Sequence, residues 1–155
     1  MRIIIDTREQ KELFLFKSFP VTTVIKKLDT GDYSITGFEK KITIDRKRDA
    51  NELQMCYGQN WKRFNRMLER MNEFDEGYIL CTFPEYHLEI FPQESNIPKH
   101  RWKYLKTSAA YLRYKTKKIQ EDFPNIKILF GNTHYESEEI AFNLLKTYYE
   151  KHSKH

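Results

Sequence analysis

Apolar residues in the first third of the chain follow the short, alternating pattern of β-strands. The predicted strands span residues 2–6, 21–28, 32–36 and 42–47. Three consecutive isoleucines in the first strand predict a central strand buried on both faces. A tight turn at residues 37–39 joins the last two strands into a hairpin. Between the first two strands, residues 13–19 are rich in Leu and Phe and predict a helical turn or an extended loop covering the core.

After residue 48, apolar residues recur three and four apart, which is typical of amphipathic helices. Helices are predicted at residues 49–57, 61–72, 85–91, 99–122 and 135–149, with further strands at 77–83 and 125–130. Asn60 is expected to cap the second helix. Strands followed by strands that alternate with helices predict a three-layer α/β domain, in which helices flank a mixed sheet. We assign residues 1–150 to one domain and residues 151–155 to a frayed polar tail.

The predicted hairpin suggests a site. Residues two apart on a strand point to the same face, so Asp45 and Lys47 project together and Arg46 points the other way. The turn brings Asp32 beside Asp45, so two carboxylates and one ammonium converge. Such oxygen ligands suit Mg²⁺ or Mn²⁺ completed by waters and substrate phosphates. The alternative interpretation is an ordinary surface ion pair at a charged strand end.

Four motifs in order extend this pattern. They are Asp6-Thr7-Arg8-Glu9, the lead Leu28–Tyr33 with Gly31-Asp32, Asp45-Arg46-Lys47, and Trp61-Lys62-Arg63-Phe64. Together they resemble the XPF-type nuclease domain, a branch of the PD-(D/E)xK nucleases. The resemblance covers roughly residues 2–72 in motif detail and the remainder in general layout. The sequence departs from the family pattern at Asp45, where the family has Glu, and at Asn51, where it has a later Asp.

The resemblance implies a restriction-endonuclease-like fold and a metal-dependent DNA endonuclease, often acting at branched, flap or forked DNA. It implies Mg²⁺ or Mn²⁺ as cofactor and homodimers formed through the nuclease domain. The implied metal ligands are Asp32, Asp45 and Asp6, and Lys47 lies beside the attacking water. Arg8, Glu9 and Arg46 complete the implied catalytic set. For Arg46 we favour a structural role, bonding the first loop, because a regular strand points it away from Lys47.

Basic residues on two predicted helices suggest where DNA binds. Arg63, Arg66 and Arg70 share one face of the helix after the candidate site. Residues 99–120 carry eight lysines and arginines and no acid, which indicates a nucleic-acid surface. The eight are Lys99, Arg101, Lys103, Lys106, Arg113, Lys115, Lys117 and Lys118, of which the last six are the DNA-binding candidates. The alternatives are a solvated face or a stripe that packs on a partner helix.

The composition agrees with a nucleic-acid partner but does not require one. The formal charge is +5 and the pI about 9.1. We expect no membrane segment, no secretion signal and no helix-hairpin-helix module, and we expect a cytoplasmic, nucleoid-associated protein of a prokaryote or phage. Two rival functions remain open: a catalytically inactive DNA-binding module of the same fold, which Asp45 in place of Glu favours, and a metal-dependent nuclease acting on RNA.

Overall fold

A computed structural model describes residues 1–9 and 13–153 of the chain. The strands in this part are β1 Arg2–Ile5, β2 Thr22–Ile25, β3 Tyr33–Ile35, β4 Ile42–Lys47, β5 Glu76–Cys81 and β6 Ile126–Phe130. The helices there are α1 Ala50–Tyr57, α2 Trp61–Met71, α3 Tyr86–Glu89, α4 Ala109–Asp122 and α5 His134–His152. A 3₁₀ helix, Lys99–Tyr104, precedes α4.

The strands form one mixed sheet in the order β2-β1-β3-β4-β5-β6. β3 runs antiparallel to both β1 and β4, whereas the β1–β2, β4–β5 and β5–β6 pairs are parallel. The start of β3 therefore lies at the same edge of the sheet as the ends of β1 and β4. This edge gathers Asp6 after β1, Asp32 before β3, and Asp45 near the end of β4.

Helices cover both faces of the sheet, which confirms the predicted three-layer α/β fold. On one face, residues 13–19 and α5 pack on inward residues of β1, β3 and β4, including Ile42 and Ile44. On the other face, α1, α2, α3 and α4 pack on Ile79 of β5 and Ile128 of β6. Alternation along β4 then directs Asp45 and Lys47 toward the α1–α2 face and Arg46 toward the opposite face.

The prediction of one continuous helix over residues 99–122 is wrong, because residues 105–108 separate the 3₁₀ helix from α4. Leu105 has extended backbone angles, φ −71° and ψ 135°. The Ser108 side chain accepts a hydrogen bond from the Tyr111 amide, 3.1 Å away, and so begins α4 at Ala109. Serine competes for backbone hydrogen bonds in this way, and it caps helices more readily than it continues them.

Other bounds differ by a few residues from the predictions. β2 ends at Ile25, earlier than expected, because residues 26–31 leave the sheet and bond to the end of β1. Asn60 precedes α2 but makes no side-chain capping bond. α5 continues to His152, beyond the predicted helix end at residue 149. In the described residues, no helix has the length and apolar character needed to cross a membrane.

Candidate active site

Three hydrogen bonds with backbone groups of neighbouring residues fix Asp32 at the start of β3. Its amide donates to the Ile44 carbonyl, and its carbonyl accepts from the Asp6 amide, both at 2.8 Å. Its carboxylate Oδ2 accepts from the Arg46 amide at 2.8 Å. The preceding Gly31 has φ +85°, and a Cβ there would collide with the Thr43 side chain. A glycine is therefore required for the chain to pass close to β4 just before Asp32.

Asp45 and Lys47 lie together on the α1–α2 side of β4. Lys47 Nζ is 3.0 Å from Asp45 Oδ2, and each side chain is 13% exposed. The ammonium also lies 5.4 Å from the centre of the Phe64 ring. A cavity of about 220 Å³, here named the Asp45 pocket, opens beside this pair. Its lining residues are Asp45, Lys47, Cys56, Asn60, Arg63, Phe64, Met67 and Arg70.

The surroundings of the site raise the pKa of both Asp32 and Lys47. Burial raises the pKa of Asp32 well above its usual range, and the negative charges of Asp45 and Glu9 raise it further. Burial alone would lower the pKa of Lys47, but the charges of Asp45, Cys56 and Glu52 and the hydrogen bond to Asp45 together outweigh it, and the pKa rises. Lys47 is therefore an ammonium at neutral pH, and the two aspartates are close enough to repel each other.

Asp6 joins β1 to the loop that carries Asp32. Its carboxylate is 1% exposed. Oδ1 accepts from the Leu28 amide at 2.7 Å, and Oδ2 accepts from Arg8 Nε at 2.8 Å. Arg8 also donates from Nη2 to the Leu28 carbonyl at 2.8 Å. Asp6 and Arg8 thus hold the 26–31 segment against the end of β1, and both oxygens of Asp6 are engaged in doing so.

Glu9 and Arg46 form a second support on the opposite face of β4. Arg46 Nε and Nη2 donate to the two Glu9 oxygens at 2.9 and 3.1 Å. The Arg46 guanidinium lies 5.5 Å from the centre of the Phe14 ring. The Tyr33 hydroxyl also donates to Glu9, at 3.2 Å. Arg46 therefore bonds the first loop, as its position on the strand indicated.

The basic residues predicted to bind DNA fall into two groups. Arg63 and Arg70 line the Asp45 pocket, whereas Arg66 is exposed outside the lining. On α4, Lys115 Nζ lies 3.5 Å from the centre of the Trp61 ring, and Lys118 pairs with Asp122 at 3.2 Å. Lys103, Lys106, Arg113 and Lys117 are exposed.

Sequence reasoning missed several residues of the site. Cys56 and Asn60 line the Asp45 pocket from the end of α1 and the start of α2. The sequence feature that could have identified them is their position just before the Trp61–Phe64 motif. Asn51, at the family's later Asp position, lines a different cavity. Nearby Asp49 caps α1 by accepting from the Glu52 amide at 2.8 Å.

The three expected metal ligands differ in how their carboxylate oxygens are engaged. Among residues 1–9 and 13–153, no group of three or more His, Cys, Asp or Glu side chains is arranged to hold a metal ion. Both oxygens of Asp6 accept hydrogen bonds, from Leu28 and Arg8, and Asp32 and Asp45 stay candidate ligands. Their donor chemistry fits a divalent cation. Asp45 Oδ2 is buried and accepts no well-directed hydrogen bond from the described residues, although Lys47 Nζ is near. Mg²⁺ commonly takes one or two carboxylates and completes its shell with waters and phosphates.

Comparisons with known proteins agree with this architecture. The family model described as the ERCC4 domain matches residues 5–144. The structure titled XPF from Aeropyrum pernix is similar with a TM-score of 0.70 and 16% identity, covering 95% of this chain and 61% of that one. XPF from Aeropyrum pernix in complex with DNA gives a TM-score of 0.68 and 16% identity, covering 97% and 66%. The chain thus spans less than two thirds of these structures. No curated protein matches it in sequence.

Proposed function

Because the chain belongs to the ERCC4 domain family, as its motifs indicated, we propose that it is a metal-dependent endonuclease that hydrolyses phosphodiester bonds in DNA. One observation carries the proposal: Asp32, Asp45 and Lys47 meet at one edge of the sheet, beside a pocket that Arg63 and Arg70 line. Branched, flap or forked DNA is the proposed substrate, and repair or recombination the proposed setting. The similar fold of XPF from Aeropyrum pernix, which is known in complex with DNA, supports DNA as the substrate.

Asp32 and Asp45 are the residues that would hold Mg²⁺ or Mn²⁺. When bound, the ion supplies Lewis-acid polarisation of a phosphate oxygen and activation of a water. The chain keeps the Asp32 carboxylate in place through the Arg46 amide, and β4 keeps Asp45 next to it. The shorter Asp45 side chain, in place of the family's Glu, stands on a rigid central strand between β3 and β5. Its position is therefore set by the backbone and requires little side-chain ordering.

Lys47 acts as a positioned cation in this proposal. Its ammonium is held by Asp45 at 3.0 Å and lines the Asp45 pocket. Since it stays protonated at neutral pH, it donates hydrogen bonds to the attacking water or to a phosphate oxygen and does not serve as a base. Charge stabilisation of this kind gains strength in a partly buried site. Arg63 and Arg70, at the rim, would hold the phosphates that flank the scissile one.

The supports around the site have a role that needs no contact with DNA. Asp6 and Arg8 hold the 26–31 segment that leads into Asp32, and Arg46 bonds Glu9 in the loop after β1. A small displacement of a catalytic group lowers the reaction rate strongly, so holding these loops in place contributes to catalysis indirectly.

We also propose that the chain forms a homodimer through this domain, as the family resemblance implies.

A cleavage assay tests the proposed function. Labelled single-stranded, duplex, flap and forked DNA are incubated with the protein in EDTA, Mg²⁺ or Mn²⁺, next to the Asp32→Asn variant. We expect metal-dependent cutting, greatest for a branched substrate, and loss of cutting in the variant with DNA binding retained. A Glu150→Gln variant, at an exposed position of α5, serves as a control for the loss of one carboxylate. DNA binding without cutting under any metal would instead support the inactive binding module.

A further inference from the structure

A second basic cavity adjoins the Asp45 pocket. It has a volume of about 720 Å³ and lies between the 26–31 segment, the turn from β3 to β4, and the end of α2. Five basic residues line it, Lys26, Lys27, Lys40, Lys41 and Arg70, together with the acids Asp29, Glu39 and Glu73. We name it the lysine groove. Its volume is within the range that admits a nucleotide-sized ligand.

Arg70 belongs to both cavities. It lines the Asp45 pocket and the lysine groove, so the two openings lie side by side along α2. Its Nε donates to the Thr30 hydroxyl at 3.3 Å. Thr30 is buried two residues before Asp32, and its carbonyl accepts from the Thr43 hydroxyl at 2.7 Å. Arg70, which lies between the two cavities, is therefore hydrogen-bonded to the loop that positions Asp32.

The chemistry of the lysine groove fits an extended polyanion. Lys26 pairs with Glu39 at 3.3 Å, with the lysine side chain 58% exposed. Lys27 and Lys40 are exposed at the rim, where ammonium groups can follow a series of phosphates. Leu28 and Phe74 add an apolar floor that suits the sugars of a nucleic-acid strand. A lining with more cations than carboxylates attracts phosphates without fixing one in a single geometry.

We propose that the lysine groove binds the phosphodiester backbone of the DNA strand next to the scissile phosphate. The strand leaves the Asp45 pocket, passes Arg70, and continues over Lys27 and Lys40. This inference rests on the proposed function, since it requires DNA to occupy the Asp45 pocket. The lysine groove thus extends the DNA-binding site on one side of the Asp45 pocket and is separate from the basic face of α4.

The salt dependence of DNA binding tests the lysine groove. Lys27→Gln/Lys40→Gln removes two positive charges from its rim. Lys17→Gln/Lys151→Gln removes two exposed charges from the opposite side, on the 13–19 segment and α5. Binding to flap DNA is measured in EDTA across salt concentrations. Each phosphate contact contributes about 0.7–0.9 to the slope of log K against log salt. The groove variant should lower the slope by about 1.4–1.8, and the control should leave it unchanged.

Neutral phosphates locate the contacts. Single methylphosphonates are placed at each position on both sides of the cleavage site. For the wild type and the control variant, binding should weaken at two or more positions on one side of the cleavage site, beyond the phosphates assigned to Arg63 and Arg70. For the groove variant, those substitutions should have no further effect, because their lysine partners are gone. If wild type binds and cuts DNA while the groove variant matches the control in slope and position effects, the lysine groove is refuted and the proposed function stands. If wild type does not bind DNA, both fall.

Discussion

Replacing Glu9 by Gln tests whether Glu9 and Arg46 support the site or take part in its chemistry. Glu9 receives two hydrogen bonds from Arg46 and one from Tyr33. Removing one partner of a buried ion pair costs about 3–5 kcal/mol, because the other charge stays buried. Arg46 is 2% exposed and Glu9 is 12% exposed. Since water reaches Glu9, we expect a loss near the lower end, about 3 kcal/mol of unfolding free energy.

A double-mutant cycle separates the pair from its surroundings. Arg46→Met should be destabilising by a similar amount, since it removes both Arg46 hydrogen bonds from the Glu9 carboxylate. Glu9→Gln/Arg46→Met should be less destabilised than the sum of the two single variants, with a coupling of about 1–3 kcal/mol. Urea unfolding followed by circular dichroism, in EDTA, gives the free energies. Lys26→Gln, which breaks the exposed pair with Glu39, is the control and should change stability by less than about 1 kcal/mol.

The outcome is decided by comparing stability with cleavage. If the two residues are supports, cleavage by the folded fraction of Glu9→Gln should fall far less than cleavage by Asp32→Asn. Unchanged stability of Glu9→Gln, combined with a loss of cleavage as large as that of Asp32→Asn, would refute the structural role. Glu9 would then belong to the reacting groups, and its contact with Arg46 would be incidental.

Three further predictions concern the loops and α4. Asp6→Asn should cost about 1–3 kcal/mol in unfolding experiments. Burial alone would raise the pKa of Asp6, but the Arg8 and Leu28 hydrogen bonds lower it. The difference in unfolding free energy between wild type and Asp6→Asn should therefore be largest above about pH 4 and should shrink at lower pH. A difference that grew on acidification would contradict this. Gly31→Ala should destabilise the protein and slow cleavage, since φ is +85° and the new Cβ meets Thr43; a fully stable, active variant would show that the loop can shift. Replacing Lys115, Lys117 and Lys118 of α4 by Gln should lower the salt slope of DNA binding by about 2.1–2.7, and an unchanged slope would make α4 a solvated face.

The site was predictable where it depends on local geometry. The alternation along β4 determined that Asp45 and Lys47 share a face and that Arg46 does not. The Gly31-Asp32 pair was identified by its resemblance to the family motif, and the structure adds that Gly31 passes close to Thr43 of β4. The conclusion about β4 needs only the two-residue period of a strand.

Contacts between distant segments were not predictable in the same way. Asp6 was expected near the metal, but it bonds Leu28, which reaches it only because the 26–31 segment folds back onto the end of β1. The lysine groove likewise combines three segments that no periodicity links. The break before α4 was missed because its apolar spacing continues across Ser108, whereas capping by that serine is a hydrogen-bond effect.

Single-turnover cleavage by variants of Asp32, Asp45 and Lys47 tests the central claim most directly. The rates of Asp32→Asn, Asp45→Asn, Lys47→Met and Asp32→Asn/Lys47→Met are compared with wild type at saturating protein and metal. If the three side chains form one centre, each single variant should lose at least about 10²-fold. The double variant should then be no slower than the worse single variant. Rates near wild type for Asp32→Asn or Asp45→Asn, or losses that simply multiply in the double variant, would contradict a shared catalytic centre.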